Sequence, residues 1–308
     1  MKSLIVGNGI DIQFDGITLR GNKAILNRVI RNVEADRYKE IGLDKDNINE
    51  VLKVCVDTVN MIIDNKALVP ENEDYLFLEM ELDRIRRSYK TNVTLNEIGL
   101  EDLFISTELL YLNSMNDEER EYCISAKKDF LQPLILDAIY DEGRVNKIYE
   151  KYPRTFVEYL KTYDAIFTLN YDTNIEQAVG NEIPVYHIHG SFDMETERTK
   201  IYSPKFSHMF CNGIMTWYWL EKYDDESNDS RYGIDIFEKI NGNVDILGIS
   251  PCNDEQLYLR LSLNKALSSC RYFYLNRSDA IELRRHIGGK LSRHITDVDV
   301  TTFWNRFK

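Results

Sequence analysis

Residues 164–193 read DAIFTLNYDTNIEQAVGNEIPVYHIHGSFD, and two short apolar runs in this stretch predict two buried strands. The first run is Ala165–Leu169 and the second is Ile183–Ile188. Short apolar runs bounded by turn residues are typical of strands that are covered on both faces in a parallel sheet. A short helix is predicted between them over Thr173–Val179, and this alternation of strand and helix favours an α/β fold.

Polar residues follow each of these runs. Asn170 and Asp172 come directly after the first, and His189, Gly190 and Ser191 come directly after the second. In open α/β sheets, ligands bind outside the carboxyl ends of the strands. An amide, a carboxylate and an imidazole at one sheet edge therefore predict a catalytic set.

Structural roles are the alternative for these residues. Asn170 could begin a turn, and Asp172 could cap a helix that begins near Thr173. His187 and His189 share one face of an extended segment. His187 lies further back and is interpreted as a structural histidine, and without a third ligand in view we expect no metal at this pair.

The chain opens with a third strand and a glycine-containing loop. The apolar run Leu4–Val6 leads into Gly7 and Gly9, which would let the backbone approach a phosphate at a helix N-terminus. The dinucleotide fingerprint is incomplete because Ile12 holds its third glycine position. A plain tight turn is the alternative. Asp11 would repel a pyrophosphate, so it is expected to cap the helix or to meet a ribose hydroxyl.

A fourth apolar run, Val244–Gly248, also ends in a loop that leads into a helix. Ser250 and Asp254 lie in this loop, and with Gly248 they suit contacts to ribose or phosphate. A plain strand-to-helix turn is an equal alternative. Beyond it, the pattern predicts a helix over Asn253–Leu267 and a strand over Arg271–Leu275. Alternating strands and helices indicate a parallel sheet with right-handed crossovers.

Between residues 23 and 161, apolar residues recur at intervals of three and four, and no convincing strand interrupts them. Helical segments predicted there include Glu101–Leu112, Ala126–Ile139 and Val145–Leu160. We expect a large helical insertion at 23–161 after the first strand, with residues 1–22 and 162–308 forming the α/β core. The aromatic segment Phe206–Tyr223 is interpreted as core or interface, with stacking of an adenine or nicotinamide ring as the alternative.

Composition limits the class of protein. The 308 residues include 38 basic and 51 acidic side chains, which gives a net charge of −13. This charge argues against broad, non-specific binding to nucleic acid. The five cysteines are widely spaced and form no C-x-x-C pair, which argues against a disulfide framework or a structural zinc site. Neither a signal peptide nor a membrane-length apolar run is evident. We expect a cytoplasmic protein without direct nucleic-acid or membrane binding.

The order of the motifs resembles that of the sirtuin-like superfamily. The resemblance rests on Gly7-Asn8-Gly9-Ile10-Asp11, Asn170-Tyr171-Asp172 and His187-Ile188-His189-Gly190-Ser191. It is strongest to the bacterial antiphage branch, which includes the AbiH-type abortive-infection proteins. The resemblance implies a Rossmann-like parallel sheet with a helical insertion after the first strand.

The same resemblance implies roles for the motif residues. Asn170 and His189 match the catalytic amide and histidine, and Asp172 lies near the nicotinamide ribose as a third catalytic candidate. The remaining candidates would line the NAD site, with the first loop at the pyrophosphate and the last at the adenosine end: Gly7, Asn8, Gly9, Asp11, Gly190, Ser191, Gly248, Ser250 and Asp254. The paired C-x-x-C zinc module of deacylase sirtuins is missing from this sequence, which favours NAD hydrolysis over protein deacylation.

The leading hypothesis is an NAD⁺ glycohydrolase that acts as an effector of abortive infection, with NAD⁺ as its substrate and no metal. Cleavage of the nicotinamide–ribose bond builds oxocarbenium character, so it needs a positioned water and a group that accepts its proton. We expect regulation by a homo-oligomer or by a partner protein of the defence system. The alternatives are a non-catalytic sensor of NAD or ADP-ribose, and a metal-dependent phosphoesterase that uses Asp11, Asp172 and His189.

Overall fold

Six strands form one parallel sheet in the residues that the computed structural model describes, which are 1–39, 42–66, 76–114, 116–188, 191–192, 236–251, 255–286 and 294–307. The strands are β1 (Lys2–Val6), β2 (Ala165–Thr168), β3 (Val185–His187), β4 (Gly242–Leu247), β5 (Leu267–Tyr274) and β6 (Ile295–Asp299). Their order is β3-β2-β1-β4-β5-β6, and every neighbouring pair is parallel. This is the order of a doubly wound Rossmann sheet, which confirms the predicted fold class.

The first strand lies at the centre of the sheet. Val6 is in register with Thr168 of β2 on one side and with Leu247 of β4 on the other. The apolar residues of β1 are completely buried, as expected for a strand covered on both faces. Because all strands run in the same direction, the loops after β1, β2 and β4 meet at one edge of the sheet.

Helices fill the chain between β1 and β2. In order they are α1 (Gly9–Asp15), α2 (Ile17–Arg20), α3 (Asn22–Glu34), α4 (Lys45–Ile63), α5 (Leu76–Ser88), α6 (Leu100–Asn113), α7 (Asp117–Ser125), a π-helical segment (Ala126–Leu131), α8 (Gln132–Tyr140), a 3₁₀ segment (Asp141–Lys151) and α9 (Arg154–Leu160). No strand interrupts them in the described part of this region. The predicted helical insertion after the first strand is therefore confirmed.

Shorter helices lie between the later strands and after the last one. They are α10 (Asn174–Val179), a 3₁₀ turn (Gly180–Glu182), α11 (Ile236–Lys239), α12 (Glu255–Leu263), α13 (Arg277–His286), α14 (Val300–Trp304) and a 3₁₀ turn (Asn305–Phe307). The aromatic segment Phe206–Tyr223 lies outside the described residues.

Two apolar cores cover the two faces of the sheet. Leu4 and Val6 point into a core that they share with the helices between β1 and β2, including Phe104 and Phe156. Ile5 points to the opposite face and packs in a second core with Tyr258 of α12. Successive side chains of a strand alternate between faces, so one short apolar strand anchors both cores.

Two predicted helices were wrong in extent. The helix predicted over Val145–Leu160 is broken at Tyr152, which is extended at φ −71° and ψ 124°. Pro153 follows it, and a proline disfavours helical dihedrals in the residue before it. The helix predicted over Asn253–Leu267 ends at Leu263, because the Asn264 side chain donates to the Ile240 carbonyl and accepts from the Ala266 amide.

The last strand, β6, was not predicted. Its sequence Ile-Thr-Asp-Val-Asp alternates, and none of its residues is fully buried. It pairs with β5 and is the last strand of the sheet in the described residues. An edge strand needs no continuous apolar run, so the pattern used for the buried strands does not detect it.

A close backbone contact joins the loops after β1 and β4. The Gly9 amide donates to the Gly248 carbonyl at 2.9 Å. A Cβ built on Gly248 would lie 3.0 Å from the Gly9 Cα and 3.1 Å from the Gly7 carbonyl oxygen. Gly248 also has a positive φ of 74°. Only glycine fits this crossing without displacing the other loop.

We expect Gly248→Ala to destabilise the fold more than Gly42→Ala. Both glycines have positive φ, so both variants incur strain of about 1 kcal/mol. Gly42 has no heavy atom within 4 Å of its built Cβ. The backbone clash at Gly248 should therefore add about 1–3 kcal/mol, measured by urea unfolding. Equal losses in the two variants would contradict the close contact.

Candidate functional site

The carboxyl edge of the sheet brings together most of the predicted site residues that the structure describes. The loop Gly7–Gly9 contacts the loop after β4, and the Asn170 side chain after β2 reaches Asp11 of α1. In this sheet order, the direction of winding reverses between β1 and β4. Ligands of doubly wound folds bind in the crevice at this switch point.

The glycines of the first loop serve packing. A Cβ on Gly7 would lie 2.9 Å from the Gly248 carbonyl oxygen, and one on Gly9 would lie 2.4 Å from the Gly248 Cα. The space left by their missing side chains is thus taken by the β4 loop. Asn8 is exposed, and its side-chain amide donates to the Arg20 carbonyl at 3.0 Å. Asn8 therefore holds the loop against the end of α2.

Asp11 points into the protein rather than towards solvent. It is 2% exposed. Its Oδ2 accepts from Asn170 Nδ2 at 3.1 Å, and its Oδ1 accepts from Asn174 Nδ2 at 3.5 Å. Asp11 does not cap α1, because the N-cap position belongs to Asn8. Its observed role is to join α1 to the segment that follows β2.

Asp172 is also buried, with 4% exposure. Its Oδ1 accepts from the Asn174 amide at 2.9 Å, so it contacts the first residue of α10, although the N-cap position itself belongs to Thr173 and not to Asp172 as the capping alternative had it. Its carboxyl group also shares a hydrogen bond with that of Asp11. Asp172 thus occupies an interior position beneath the sheet edge.

The two carboxyl groups hold a proton between them. Burial raises the pKa of Asp11 well above its usual value, and the nearby charge of Asp172 raises it further. Burial also raises the pKa of Asp172, but the hydrogen bond from Asp11 opposes that rise. Asp11 is therefore the protonated member and donates to Asp172. Two buried carboxylates beside each other would repel, so the pair retains a proton to higher pH than two free aspartates would.

Asn170 lies at this edge with its side chain half-buried, and hydrogen bonds define the orientation of that side chain. Its backbone amide donates to Thr168 Oγ1 at 3.0 Å, and its Nδ2 donates to Asp11. Because Asp11 accepts from Nδ2, the amide oxygen Oδ1 faces away from Asp11. Among the described residues, no donor contacts Asn170 Oδ1. The side chain thus presents a fixed hydrogen-bond acceptor.

His187 is a structural histidine, as predicted. It is buried, its Nδ1 donates to the Asn170 carbonyl at 3.1 Å, and its Nε2 pairs with the Glu176 carboxylate. Burial alone lowers the pKa of His187, but the charge and hydrogen bond of Glu176 raise it above the usual value. With both ring nitrogens donating, the imidazolium form is favoured, and the ring fixes the Asn170 backbone.

The remaining predicted residues are placed only in part. His189, Gly190 and Asp254 lie outside the described residues. Ser191 is buried, and the next residue donates its amide to the Tyr171 carbonyl at 2.7 Å, which returns the chain towards the β2 loop. Ser250 is half-buried in the β4 loop. The ligand contacts proposed for these residues stay predictions.

Sequence reasoning missed Asn174 and Tyr152. Asn174 is completely buried, donates to the Val145 carbonyl at 2.8 Å and accepts from the Tyr149 amide at 3.1 Å. The sequence does offer a signal for Asn174, because it is the third amide or acid in the run 170–174, after Asn170 and Asp172. The Tyr152 hydroxyl is buried near Asp11 and has no hydrogen-bond partner among the described residues. No sequence pattern points to it.

No protein-family model matches the sequence, and no curated protein matches it. In the described ranges, no cluster of three or more His, Cys, Asp or Glu side chains is arranged to hold a metal ion. Among the described helices, none is long and apolar enough to cross a membrane.

We expect Asp11→Asn to make stability less sensitive to rising pH. The pKa of Asp11 is raised on folding, so its stabilisation is complete below its unfolded value of 3.8 and is lost as pH rises through the folded value. An asparagine can accept from Asn170 and donate to Asp172 without titrating. The variant should therefore gain in Tm relative to wild type between about pH 5 and pH 9 in thermal unfolding.

Asp15→Asn is the control for this experiment. Burial opposes ionisation of Asp15, but hydrogen bonds from Lys151 and Arg20 lower its pKa. Its stabilisation is present above the unfolded value of 3.8, so the offset from wild type should stay constant over the same range. A constant offset for Asp11→Asn as well would show that Asp11 is ionised in the native protein.

Tyr152→Phe is expected to leave stability unchanged or to increase it. The Tyr152 hydroxyl is buried without a partner in the described structure, so its removal relieves a desolvation cost. Tyr163→Phe is the matched variant, because the buried Tyr163 hydroxyl bonds to Asp245 and Tyr159. It should lose about 1–3 kcal/mol in urea unfolding. A similar loss in Tyr152→Phe would mean that its hydroxyl has an unrecognised partner.

Proposed function

We propose that the protein is an NAD⁺ glycohydrolase that cleaves NAD⁺ to nicotinamide and ADP-ribose. The observation that carries the proposal is the Asn170 side chain, whose amide is held by Asp11 while its Oδ1 faces away as an acceptor. It lies one strand from the switch point between β1 and β4, where doubly wound sheets bind dinucleotides. The resemblance of the motifs to sirtuin-like proteins supports the same assignment.

The chemistry requires a fixed acceptor near the reacting carbon. As the nicotinamide–ribose bond breaks, positive charge develops at C1′ and a water attacks that carbon. The C1′–N bond electrons leave with nicotinamide, and one proton of the water is transferred to a base. Asn170 Oδ1 would accept a hydrogen bond from this water and orient it. A rigid acceptor lowers the activation free energy more than a mobile one, because its geometry is set before the reaction begins.

The buried groups would act through Asn170. Asp11 fixes the amide, Asp172 accepts the hydrogen bond from the Asp11 carboxyl group, and His187 donates to the Asn170 carbonyl. None of the three is placed to touch a substrate, so in this proposal they are positioning residues. Asp172 therefore moves from the predicted catalytic set to the positioning set. His189 would be the proton acceptor, an assignment that rests on the resemblance.

The loops at the switch point would bind the rest of the dinucleotide. Gly7–Gly9 and Gly248–Ser250 border the crevice. The Gly7 and Gly9 amides already donate to the Leu247 and Gly248 carbonyls, so the other backbone amides of these loops would donate to phosphate oxygens. The resemblance to the antiphage branch extends the proposal to abortive infection. In that setting a homo-oligomer or a partner protein would restrain the enzyme, because uncontrolled NAD⁺ loss harms the cell.

One observation favours a second candidate, a sensor that binds NAD⁺ or ADP-ribose without turnover. Asp172, a predicted catalytic residue, is buried and engaged with Asp11 and Asn174. Because Asp172 does not face the proposed site, hydrolysis of NAD⁺ would depend on Asn170 and His189 alone. A site with a reduced catalytic set can still bind the dinucleotide.

The test is product formation by purified full-length protein, followed as nicotinamide and ADP-ribose by chromatography. Asn170→Ala should reduce turnover by about 100-fold or more, because removal of a preorganised polar group costs that much in comparable sites. His189→Ala should reduce it similarly. Asn241→Ala is the matched control, since this half-buried asparagine lies before β4, at the opposite end of the sheet, and bonds to the Lys239 carbonyl.

Each outcome separates the candidates. Full activity in a folded Asn170→Ala protein would contradict the assignment of the acceptor. Calorimetric binding of NAD⁺ by the wild type without any product would support the sensor. If the wild type neither forms product nor binds NAD⁺, both the enzyme and the sensor are contradicted.

A further inference from the structure

A second concave site lies away from the sheet edge. A cavity of about 710 Å³ is lined by α2, α3 and the 3₁₀ segment Asp141–Lys151. None of the predicted strand-edge residues lines it. Its volume falls in the range typical of small-molecule sites, roughly 300–1,000 Å³, and exceeds what a single inorganic ion needs.

The described lining is strongly basic, although the whole chain carries a net charge of −13. Six basic side chains face three acidic ones, an excess of three positive charges. The basic residues are Arg20, Arg28, Arg31, Arg144, Lys147 and Lys151. An isolated cluster of cations in an acidic protein creates a local field that attracts small anions.

Internal ion pairs neutralise only part of this charge. Asp141 is buried and lies 2.9 Å from Arg144, 3.3 Å from Arg20 and 3.8 Å from Arg28. One carboxylate therefore serves three guanidinium groups. Asp15 serves two cations, because it pairs with Arg20 at 2.6 Å and also with Lys151. Arg144 has a second acidic partner, Glu142 at 3.5 Å, whereas Arg20, Arg28 and Lys151 depend on the two shared carboxylates.

Arg31 and Lys147 have no acidic partner in the described part of the chain. Both are exposed at the cavity, one on α3 and the other on the 3₁₀ segment. Their charges remain available to a ligand. Because neither takes part in an ion pair, each can be replaced without breaking the network beneath.

Arg28 lies at the buried base of this cluster, with 7% exposure. Its Nε donates to the Ala138 carbonyl at 2.6 Å and its Nη1 to the Leu19 carbonyl at 2.7 Å. Its Nη2 has no acceptor among the described residues. Burial lowers the pKa of Arg28; the charge of Asp141 opposes this shift, while the charges of Arg20 and Arg31 add to it. Negative charge nearby would relieve both the repulsion and the desolvation cost.

We propose that this cavity binds an oligophosphate, either free or as the phosphate chain of a nucleotide. Arginine presents a planar fork of donors that matches phosphate oxygens, and several such groups converge here. No aromatic side chain is among the described lining residues, so the surface recognises the phosphate chain rather than a stacked base. The site is distinct from the proposed NAD⁺ site and does not depend on that proposal.

The experiment is calorimetric titration of the full-length protein with inorganic triphosphate in roughly 50 mM salt, where exposed charges are weakly screened. Wild type should bind, and added salt should weaken the binding. The double variant Arg31→Gln, Lys147→Gln should bind about tenfold more weakly, because two charge contacts are lost. A parallel titration with ATP distinguishes the sources, since equal affinities indicate the phosphate chain alone and tighter ATP binding indicates a nucleotide.

Two controls locate the binding. Lys53→Gln with Arg154→Gln removes the same charges from exposed positions outside the cavity, and it should retain wild-type affinity. Asn170→Ala should also retain it, because Asn170 belongs to the sheet edge. The proposal is overturned by an absence of binding at millimolar triphosphate or by equal weakening in the two double variants. Loss of triphosphate binding in Asn170→Ala would overturn it as well, by placing the anion at the sheet edge.

Discussion

Asp11 is the buried carboxyl group on which the carboxyl edge of the sheet depends. It accepts hydrogen bonds from Asn170 and Asn174 and shares a proton with Asp172. Asn174 extends these contacts, because it also bonds to the backbone of Val145 and Tyr149 in the 3₁₀ segment. Through Asn170 and Asn174, the Asp11 side chain thus joins α1 to the segment after β2 and to the end of the helical insertion. Ionisation of both carboxyl groups would weaken this arrangement, since two buried carboxylates repel each other.

This constraint determines what the sheet edge can offer to a ligand. Asp172, predicted to be catalytic, and Asp11, predicted to cap α1 or meet a ribose hydroxyl, are both turned inward, and Asp11 holds the Asn170 amide in place. The glycines after β1 and β4 bring two loops into contact at the switch point. Arg20 connects this edge to the basic cavity, because its carbonyl accepts from Asn8 while its guanidinium pairs with Asp15 and Asp141.

Much of this fold could be predicted from residue patterns, and the failures have physical causes. Apolar runs such as Leu4–Val6 and Ala165–Leu169 indicate central strands, and polar residues after them indicate the edge where a site would form. The pairing of Asp11 with Asn170 could not be predicted, because these residues are 159 positions apart and meet only through the folded sheet. The edge strand β6 lacks an apolar run. The basic cavity combines α2 and α3 with a segment more than a hundred positions away, so no basic run marks it.

The central claim is that NAD⁺ binds across the switch point with its reacting carbon beside Asn170. The most direct measurement is a crystal structure of Asn170→Ala with bound NAD⁺, in which the substrate should stay intact. The account predicts the pyrophosphate within hydrogen-bond distance of Gly7–Gly9 and Gly248–Ser250, and the C1′ carbon next to position 170. NAD⁺ bound elsewhere, for example with its pyrophosphate in the basic cavity, would contradict it.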